Sequence, residues 1–421
     1  MTMRRVLLAS VAFAAIAVPG VVAAQEAPPR GVNVADRERP DYDPIGIRAG
    51  GFIIYPSVTG SVEYDDNLFR RDTNEVDDFV FSVAPEVVAE SQWSRHALNV
   101  GAALTSSFHE ENDNDDVTDY SVFSDGRLDV TRDTFLEAAV SYAVAHEDRG
   151  SPDLPGAAAE PSEFATLRGA VDLTHRFNRL SIRPGFTYTD IDFDDVGLIG
   201  GGSLNNDDRD RDLQEYRVRV GYDVSPGLQT FVTGRYREVE YDNFDDNLGG
   251  GGVARRDSDG YDVLGGASFD LGAVARGEVA VGYTEREFDS ALLSTVDGFV
   301  YEAGIEWFVT ELTTVTLGGA RTVEETTINN ASGFLSTSVA LGVDHELMRN
   351  VLIGADAYWA NSDYEGITRE DDVYGIGVEG TYLINRNLRA TLGYDYEERD
   401  TNAAGQDYSA NIVLLSLRAA L

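Results

Sequence analysis

The chain of 421 residues contains no cysteine and only 3 methionines, and it has no long apolar run after residue 24. The absence of thiols excludes disulfide crosslinks and thiolate metal sites, and it suits an oxidising compartment without proving one. The absence of a long apolar run excludes a mature inner-membrane protein built from spanning helices. Basic residues are also scarce, since 33 Lys and Arg stand against 73 Asp and Glu. The resulting net charge of -40 argues against a nucleic-acid partner, because the field of the protein repels phosphates.

The first 24 residues have the features of a secretory signal peptide. Arg4 and Arg5 precede the apolar run VLLASVAFAAIAV, and the small residues VAA fit a cleavage site before Gln25. An N-terminal membrane anchor is the alternative, but the apolar run is short for a spanning helix. We expect cleavage, followed by a flexible periplasmic leader over residues 25–50, which are rich in proline and charge and lack periodicity. The mature chain is then periplasmic, secreted or in the outer membrane.

Glycine (42), tyrosine (20) and phenylalanine (19) are abundant, which is typical of many strands joined by tight turns and flanked by aromatic girdles. Over residues 51–421 one unit repeats: an alternating segment, a tight turn, a second alternating segment and a longer acidic or glycine-rich loop. Eight tight turns are expected, near 91–95, 131–134, 177–179, 225–227, 270–273, 310–312, 348–350 and 385–387. Together with nine longer loops, they divide the chain into about eighteen strands.

The stretch QEYRVRVGYDV, residues 214–224, illustrates the alternation. Its apolar face consists of Tyr216, Val218, Val220 and Tyr222, and its polar face carries Glu215, Arg217, Arg219 and Asp223. Such segments exceed the roughly 5–6 residues of soluble strands and match the roughly 9–11 that cross a bilayer. A soluble β-sandwich or solenoid is the less favoured alternative. The sequence therefore predicts an all-β protein whose residues 51–421 form a single transmembrane antiparallel up-and-down barrel in the outer membrane, with short periplasmic turns and long acidic outer loops.

Alternation also predicts which charged side chains line the lumen. Six arginines on four consecutive strands should form a basic ladder, because neighbouring strands lie about 4.8 Å apart: Arg168, Arg183, Arg217, Arg219, Arg235 and Arg237. After Arg237 the alternation slips, since Val239 and Tyr241 share the arginine register, which is compatible with a bulge. Acidic side chains should line other strands of the lumen, among them Glu302, Glu306, Asp356, Glu379, Asp395 and Glu397.

The ladder has two interpretations. Its arginines pair with carboxylates and stiffen the wall, or they set up a transverse field that guides anionic or hydroxyl-rich solutes through an aqueous pore. The glycine-rich loops 193–211 and 242–257 are the candidates to fold inward and narrow that pore. We expect no cofactor. The acidic stretches NDNDD, DNFDD and NNDDRDRD could bind Ca²⁺, but they lack the full EF-hand spacing and are more typical of solvated loops bridged to lipopolysaccharide by divalent cations.

Catalysis is not expected. The chain has 5 histidines, and alternation places His109 inward and His146 outward, so these two should not meet in the lumen. No serine has the flanking glycines of a nucleophile elbow. The sequence thus predicts a barrel that is not an enzyme.

Four stretches carry a family resemblance: SVEYDDNLFR (61–70), DDFVFSVAPEV (77–87), REDDVYGIGVEGTYLINRNL (369–388) and TLGYDY (391–396). Together they resemble outer-membrane β-barrel porins associated with exopolysaccharide synthesis and export, over about residues 50–421. The resemblance implies export of a secreted polysaccharide, with periplasmic export components as partners. A general small-solute porin and a plugged structural or adhesive barrel are the alternatives. An outer-membrane barrel also meets lipopolysaccharide and the barrel-assembly machinery. The final Leu421 departs from the terminal aromatic of many such barrels.

Overall fold

A computed structural model of the chain describes residues 31–154, 158–242, 256–328 and 330–421. The predicted signal peptide and the first part of the leader lie outside these ranges. Eighteen long strands form the barrel: β2 (Phe52–Asp65), β3 (Asp78–Ser91), β4 (Ala97–His109), β5 (Val117–Asp129), β6 (Thr134–His146), β7 (Glu163–Phe177), β8 (Leu180–Phe193), β11 (Arg211–Ser225), β12 (Leu228–Tyr241), β13 (Ser258–Asp270), β14 (Ala275–Phe288), β15 (Val296–Thr310), β16 (Thr313–Glu324), β17 (Gly333–Met348), β18 (Val351–Glu365), β19 (Glu370–Asn385), β20 (Leu388–Thr401) and β21 (Tyr408–Ala420). A short β1 (Ile47–Ala49) pairs with the start of β2, and β9 (Val196–Gly197) pairs with β10 (Ser203–Leu204) in an outer loop.

Each barrel strand pairs antiparallel with the next one along the chain, and β8 pairs with β11. The sheet closes where β21 pairs with β2, from Ser57 opposite Ala420 to Asp65 opposite Ile412. A closed sheet leaves no strand edge, so every strand finds hydrogen-bond partners on both sides within the bilayer. The predicted fold, an up-and-down antiparallel barrel of eighteen strands, is confirmed. No helix in the described part of the chain has the length and apolar character needed to span a bilayer.

The alternation in β11 separates a lipid face from a lumen face as predicted. Tyr216, Val218 and Tyr222 are 46%, 49% and 49% exposed on the bare barrel, as side chains that face lipid should be. Arg217 and Arg219 lie half-buried on the opposite face. The apolar side chains thus cover the outside of the barrel and the charged ones its interior.

All eight predicted tight turns lie at one end of the barrel, between β3 and β4, β5 and β6, and so on around the sheet. The turn after β11 shows why its residues are needed. Gly227 has φ +76°, and a side chain there would overlap the carbonyl oxygen of Asp270. The segment that enters β1 and the last residue also meet at this end, where the Gly46 N–H donates to the Leu421 carbonyl over 3.1 Å.

The prediction of a bulge in β12 after Arg237 is wrong. Its register with β11 runs without interruption from Gln229 to Tyr241. Val239 and Tyr241 point into the lumen, where both are buried, and the Tyr241 hydroxyl donates to Glu325 over 3.2 Å. The inward register is thus buried at this end of the lumen, where Tyr241 contacts the loop between β16 and β17.

Candidate functional site: the lumen of the barrel

The structure places the predicted basic ladder in the lumen and pairs it with carboxylates along the wall. Arg217 Nη2 lies 2.6 Å from Asp172 Oδ1. The other pairs are Arg183 with Glu137 at 3.1 Å, Arg219 with both oxygens of Glu278 at 2.7 Å, Arg235 with both oxygens of Glu302 at 2.5 and 3.0 Å, and Arg237 with Glu215 at 3.0 Å. Arg168 lies on β7 in the same inward register and also has an interaction partner. Pairing, the first of the two interpretations, therefore describes this wall.

Small and flat residues let these pairs lie along the wall. Gly185 separates Asp172 from Arg217, and a side chain at this position would overlap the Asp172 carboxylate. Arg219 lies flat on the Phe231 ring, with its guanidinium carbon 3.5 Å from the ring centroid, and reaches Glu278 three strands away. A cavity of about 120 Å³ remains among these side chains. The guanidiniums are held in defined positions rather than extending freely into the pore.

The predicted acidic residues divide into two groups. Glu302 and Glu306 belong to the ion-pair network, since Glu302 binds Arg235 and Glu306 binds Arg276. The remaining four lie on β18, β19 and β20: Asp356, Glu379, Asp395 and Glu397. β19 is eight strands from β11 around the barrel, so this second group faces the ladder across the lumen.

This acidic wall concentrates like charges. Asp356, Gly377 and Asp395 are register partners on three adjacent strands. Because Gly377 has no side chain, the two carboxylates approach each other over it: a Cβ there would lie 2.6 Å from Asp395 Oδ1 and 2.9 Å from Asp356 Oδ1. The charged groups around Asp395 are themselves acidic: Asp356, Glu63, Glu379 and Glu397. Glu397 additionally accepts hydrogen bonds of 2.5 Å from the hydroxyls of Tyr358 and Tyr408. The acidic wall therefore faces, across the lumen, a basic ladder whose arginines are already paired with carboxylates.

The loop between β6 and β7, residues 147–162, is described over 147–154 and 158–162, and its first part reaches across the outer part of the lumen. Its Asp153 Oδ1 accepts a hydrogen bond of 2.8 Å from the Thr326 hydroxyl and one of 3.1 Å from the Thr327 N–H. These threonines belong to the loop between β16 and β17, and β16 is seven strands from β7 by the shorter way around the barrel. An eighteen-stranded barrel with strands about 4.8 Å apart and tilted about 40° is roughly 35 Å wide between backbones. Loop 147–162 therefore divides the outer opening.

Further contacts hold loop 147–162 near its start. The carbonyl of Gly150 accepts a hydrogen bond of 2.6 Å from Arg399, on β20. Glu147 forms a bidentate pair with Arg209 at 2.5 and 2.8 Å, and Arg149 pairs with Asp115. Arg209 and Arg399, which bind Glu147 and Gly150, are almost fully buried. Charged contacts on several sides fix the path of this loop.

The sequence proposed other loops for this role. Of residues 193–211, the segment 194–210 carries the β9–β10 hairpin, which packs on loop 147–162 through a hydrogen bond of 2.8 Å between Ala159 N–H and the Gly197 carbonyl. In the second candidate, 242–257, residues 243–255 lie outside the described residues. Loop 147–162 was expected as one of the nine long loops but not as the one that folds inward, although its Pro152, Pro155 and charged side chains distinguish it from a Gly-rich loop.

Segment 194–210, which supports loop 147–162 and is here called the supporting loop, contains one carboxyl group whose charged form is unfavourable. Burial raises the pKa of Asp210 to about 6. The Phe193 N–H, which donates to this carboxylate over 2.7 Å, lowers the pKa, and nearby Asp192, Asp207 and Asp242 raise it. The charged form of Asp210 therefore destabilises the packed loop.

Between the outer loops lies a vestibule of about 960 Å³. Five loops line it, and four arginines point at it: Arg70, Arg71, Arg149 and Arg399. Arg70 pairs with Asp65 at 2.7 Å and Arg149 with Asp115, so this entrance also combines both signs of charge.

The inner mouth is narrowed by the part of the leader that the structure describes. Residues 31–46, here called the inner strap, pack inside the barrel. The Val34 N–H donates to Thr314 Oγ1 over 3.1 Å, and Arg37 and Arg39 both contact Glu346. Val34 is 1% exposed. A leader that was expected to be flexible is thus bound along this stretch, because its charges find partners in the lumen.

Two histidines, His109 and His146, contact nearby carboxylates of the neighbouring strands and loops. His109 lies 3.3 Å from Asp116, whereas His146 contacts Asp119 at 2.8 Å and Glu163 at 3.3 Å. Within the described ranges, no three His, Asp or Glu side chains are arranged to hold a metal ion.

The closed barrel, its charged lumen and its inward loop define the class of protein: a porin-like channel of the outer membrane. Residues 39–421 match the family model described as "Putative beta-barrel porin 2". The chain belongs to this family. The search of curated proteins found no match.

Solved structures of similar architecture have low sequence identity to this chain. A mutant of the ferric enterobactin receptor PfeA from Pseudomonas aeruginosa is 8% identical, with coverage of 87% of this chain and 80% of that chain and a TM-score of 0.47. OccK3 (OpdO) from Pseudomonas aeruginosa is 12% identical, covering 87% and 96%, with a TM-score of 0.44. OccAB4 from Acinetobacter baumannii is 11% identical, covering 87% and 98%, also with a TM-score of 0.44.

Proposed function

We propose that this barrel passes small hydrophilic solutes across the outer membrane and selects them by size. The observation that carries the proposal is the path of loop 147–162, which is bonded at Asp153 to the far side of the outer opening. A small solute can pass beside a fixed loop, whereas a polymer with a bulky cross-section needs the loop displaced. Displacement would break the Asp153 contacts and expose Thr326, which is 2% exposed in the closed arrangement.

The charge arrangement supports polar, hydroxyl-rich solutes over simple anions. An anion that binds the ladder must replace a carboxylate already held at about hydrogen-bond distance, such as Asp172 on Arg217. The opposite wall, around Asp356 and Asp395, brings several carboxylates close together. The hydroxyl groups of a sugar can donate hydrogen bonds to these carboxylates without displacing an ion pair.

Export of an exopolysaccharide is the second candidate, and the family resemblance favours it. Such an exporter would use the full width of the barrel, would require loop 147–162 to move, and would bind periplasmic export components. Under either function we expect lipopolysaccharide around the barrel and insertion by the barrel-assembly machinery.

Flux measurements separate these functions. The purified protein is reconstituted in liposomes, and the swelling rates are compared for a monosaccharide, a disaccharide, a tetrasaccharide and a dextran. Size-selective passage predicts a steep fall along this series. Equal rates for monosaccharide and dextran would refute it. In a strain lacking the protein, periplasmic polysaccharide accumulation with loss outside the cell would instead support export. A barrel that passes nothing in liposomes even after its inner strap is released would be a structural or adhesive one.

A further inference from the structure

The inner strap is seated on lumen-facing side chains of three neighbouring strands. Glu306 is adjacent to the lipid-facing Trp307 on β15, so it points inward and lies 3.4 Å from the Asn33 amide nitrogen. Thr314 on β16, which receives the Val34 N–H, is 1% exposed. Glu346 on β17 is 3.4 Å from Arg37 and 3.1 Å from Arg39. The strap thus binds inside the mouth of the barrel and not on its outer rim.

The strap reaches several sides of the mouth. Asp36 is in electrostatic range of Arg276 on β14, and Asp43 is in range of Arg389 on β20. Glu38 is in range of Tyr55 on β2. From β14 to β2 the barrel wall covers eight strand positions, which is nearly half of its circumference. A segment of this length with neighbours so widely separated lies across the opening.

The contacts of the strap differ in kind from those of the barrel. Barrel strands are held by continuous backbone ladders on both sides, whereas the strap is seated mainly through side-chain contacts with Glu306, Thr314 and Glu346. Its C-terminal end remains tethered, because β1 pairs with β2 and Gly46 bonds to Leu421. Breaking a few polar contacts can therefore release the strap while the barrel stays intact.

We propose that the inner strap is the gate at the periplasmic mouth and that Glu346 is its latch. This inference rests on the proposed passage of solutes. In the closed arrangement Glu346 accepts hydrogen bonds from both Arg37 and Arg39, so neutralising one side chain weakens two contacts at once. Solutes cross the inner mouth when the strap swings out about its tether at β1.

The absence of native cysteine permits a direct test by crosslinking. In the double variant Val34→Cys/Thr314→Cys, oxidation should lock the strap to β16 and lower sugar flux about tenfold or more, and reduction should restore it. The matched control is Ser82→Cys/Ser107→Cys, whose hydroxyls lie 2.9 Å apart on adjacent wall strands. This crosslink should leave flux unchanged. Measurable flux that is equal through the oxidised and reduced forms of the Val34–Thr314 variant would overturn the gate.

A second variant separates failure of the gate from failure of the channel. Glu346→Gln should raise flux above that of the native chain, whereas Asp133→Asn, on an exposed turn at the same end of the barrel, should not. If the native chain shows no sugar flux and the Glu346→Gln variant does, the result supports a gate that is closed at rest. Conduction by the native chain with no increase in Glu346→Gln argues against the latch. Silence of both, and of the reduced double-cysteine variant, would refute the proposed passage itself.

Discussion

Substitution of Asp153 by alanine tests the outer constriction. The carboxylate accepts bonds of 2.8 and 3.1 Å from Thr326 and Thr327. A hydrogen bond to a charged group contributes about 1.5–3 kcal/mol net. At the lower figure, losing two of them destabilises the seated tip of loop 147–162 by about 3 kcal/mol, which is roughly a hundredfold change in its equilibrium with released states. The remaining anchors, at Glu147, Arg149 and Gly150, keep the start of the loop in place.

Asp153→Ala should therefore give a larger and noisier single-channel conductance in planar bilayers and should admit the tetrasaccharide in liposome swelling. Asp113→Ala is the matched control, since it removes one carboxylate from an exposed part of the same outer vestibule. It tests whether loss of negative charge alone changes the current. Conductance and sugar cut-off that are the same in both variants and in the native chain would refute the reasoning that loop 147–162 sets the size limit.

Three further predictions concern the walls and the supporting loop. Val218→Arg places a charge on the lipid face and should lower the free energy of unfolding in lipid vesicles by about 2–4 kcal/mol, as measured by denaturant titration; an unchanged midpoint would contradict the lipid-facing assignment. Arg219→Glu should shift the reversal potential toward cation selectivity. If the pair sets the local charge, the double variant Arg219→Glu/Glu278→Arg should largely restore the native reversal potential. Because burial raises the pKa of Asp210 to about 6, the folded loop binds this proton more tightly than the unfolded chain, so its stability should fall as the pH rises through 6. Hydrogen-exchange protection of residues 194–210 should depend less on pH in Asp210→Asn than in the native chain, with the two proteins compared at each pH.

The regular part of the molecule follows from local sequence patterns. Side-chain alternation has a period of two, so one strand such as β11 is enough to show which residues face lipid. Tight turns carry local signals such as Pro226 and Gly227, and their strict alternation with long loops determines the strand count and the common end of the turns. The fold could therefore be predicted nearly completely.

The site was less predictable because its contacts are distant in sequence. Alternation places Arg235 and Glu302 in the lumen but does not show that they pair across two intervening strands. Asp153 bonds to Thr326 and Thr327 through a loop that has no period to interpret. The inward Val239 resembled a register slip because alternation does not show that this end of the lumen buries an apolar side chain. In each case the partner is supplied by tertiary packing, which a local pattern does not encode.

The strand pairing that closes the barrel imposes an order on its formation. β2 and β21 come from opposite ends of the chain, and their outer ends are joined by Asp66, which accepts bonds of 2.7 Å from both the backbone and the amide of Asn411. Contacts between such distant segments form slowly, because the intervening chain must first be ordered. Until then both terminal strands expose unpaired backbone groups, which invite pairing with other chains. Biogenesis must therefore keep the first strand from aggregating until the final one has been synthesised and delivered.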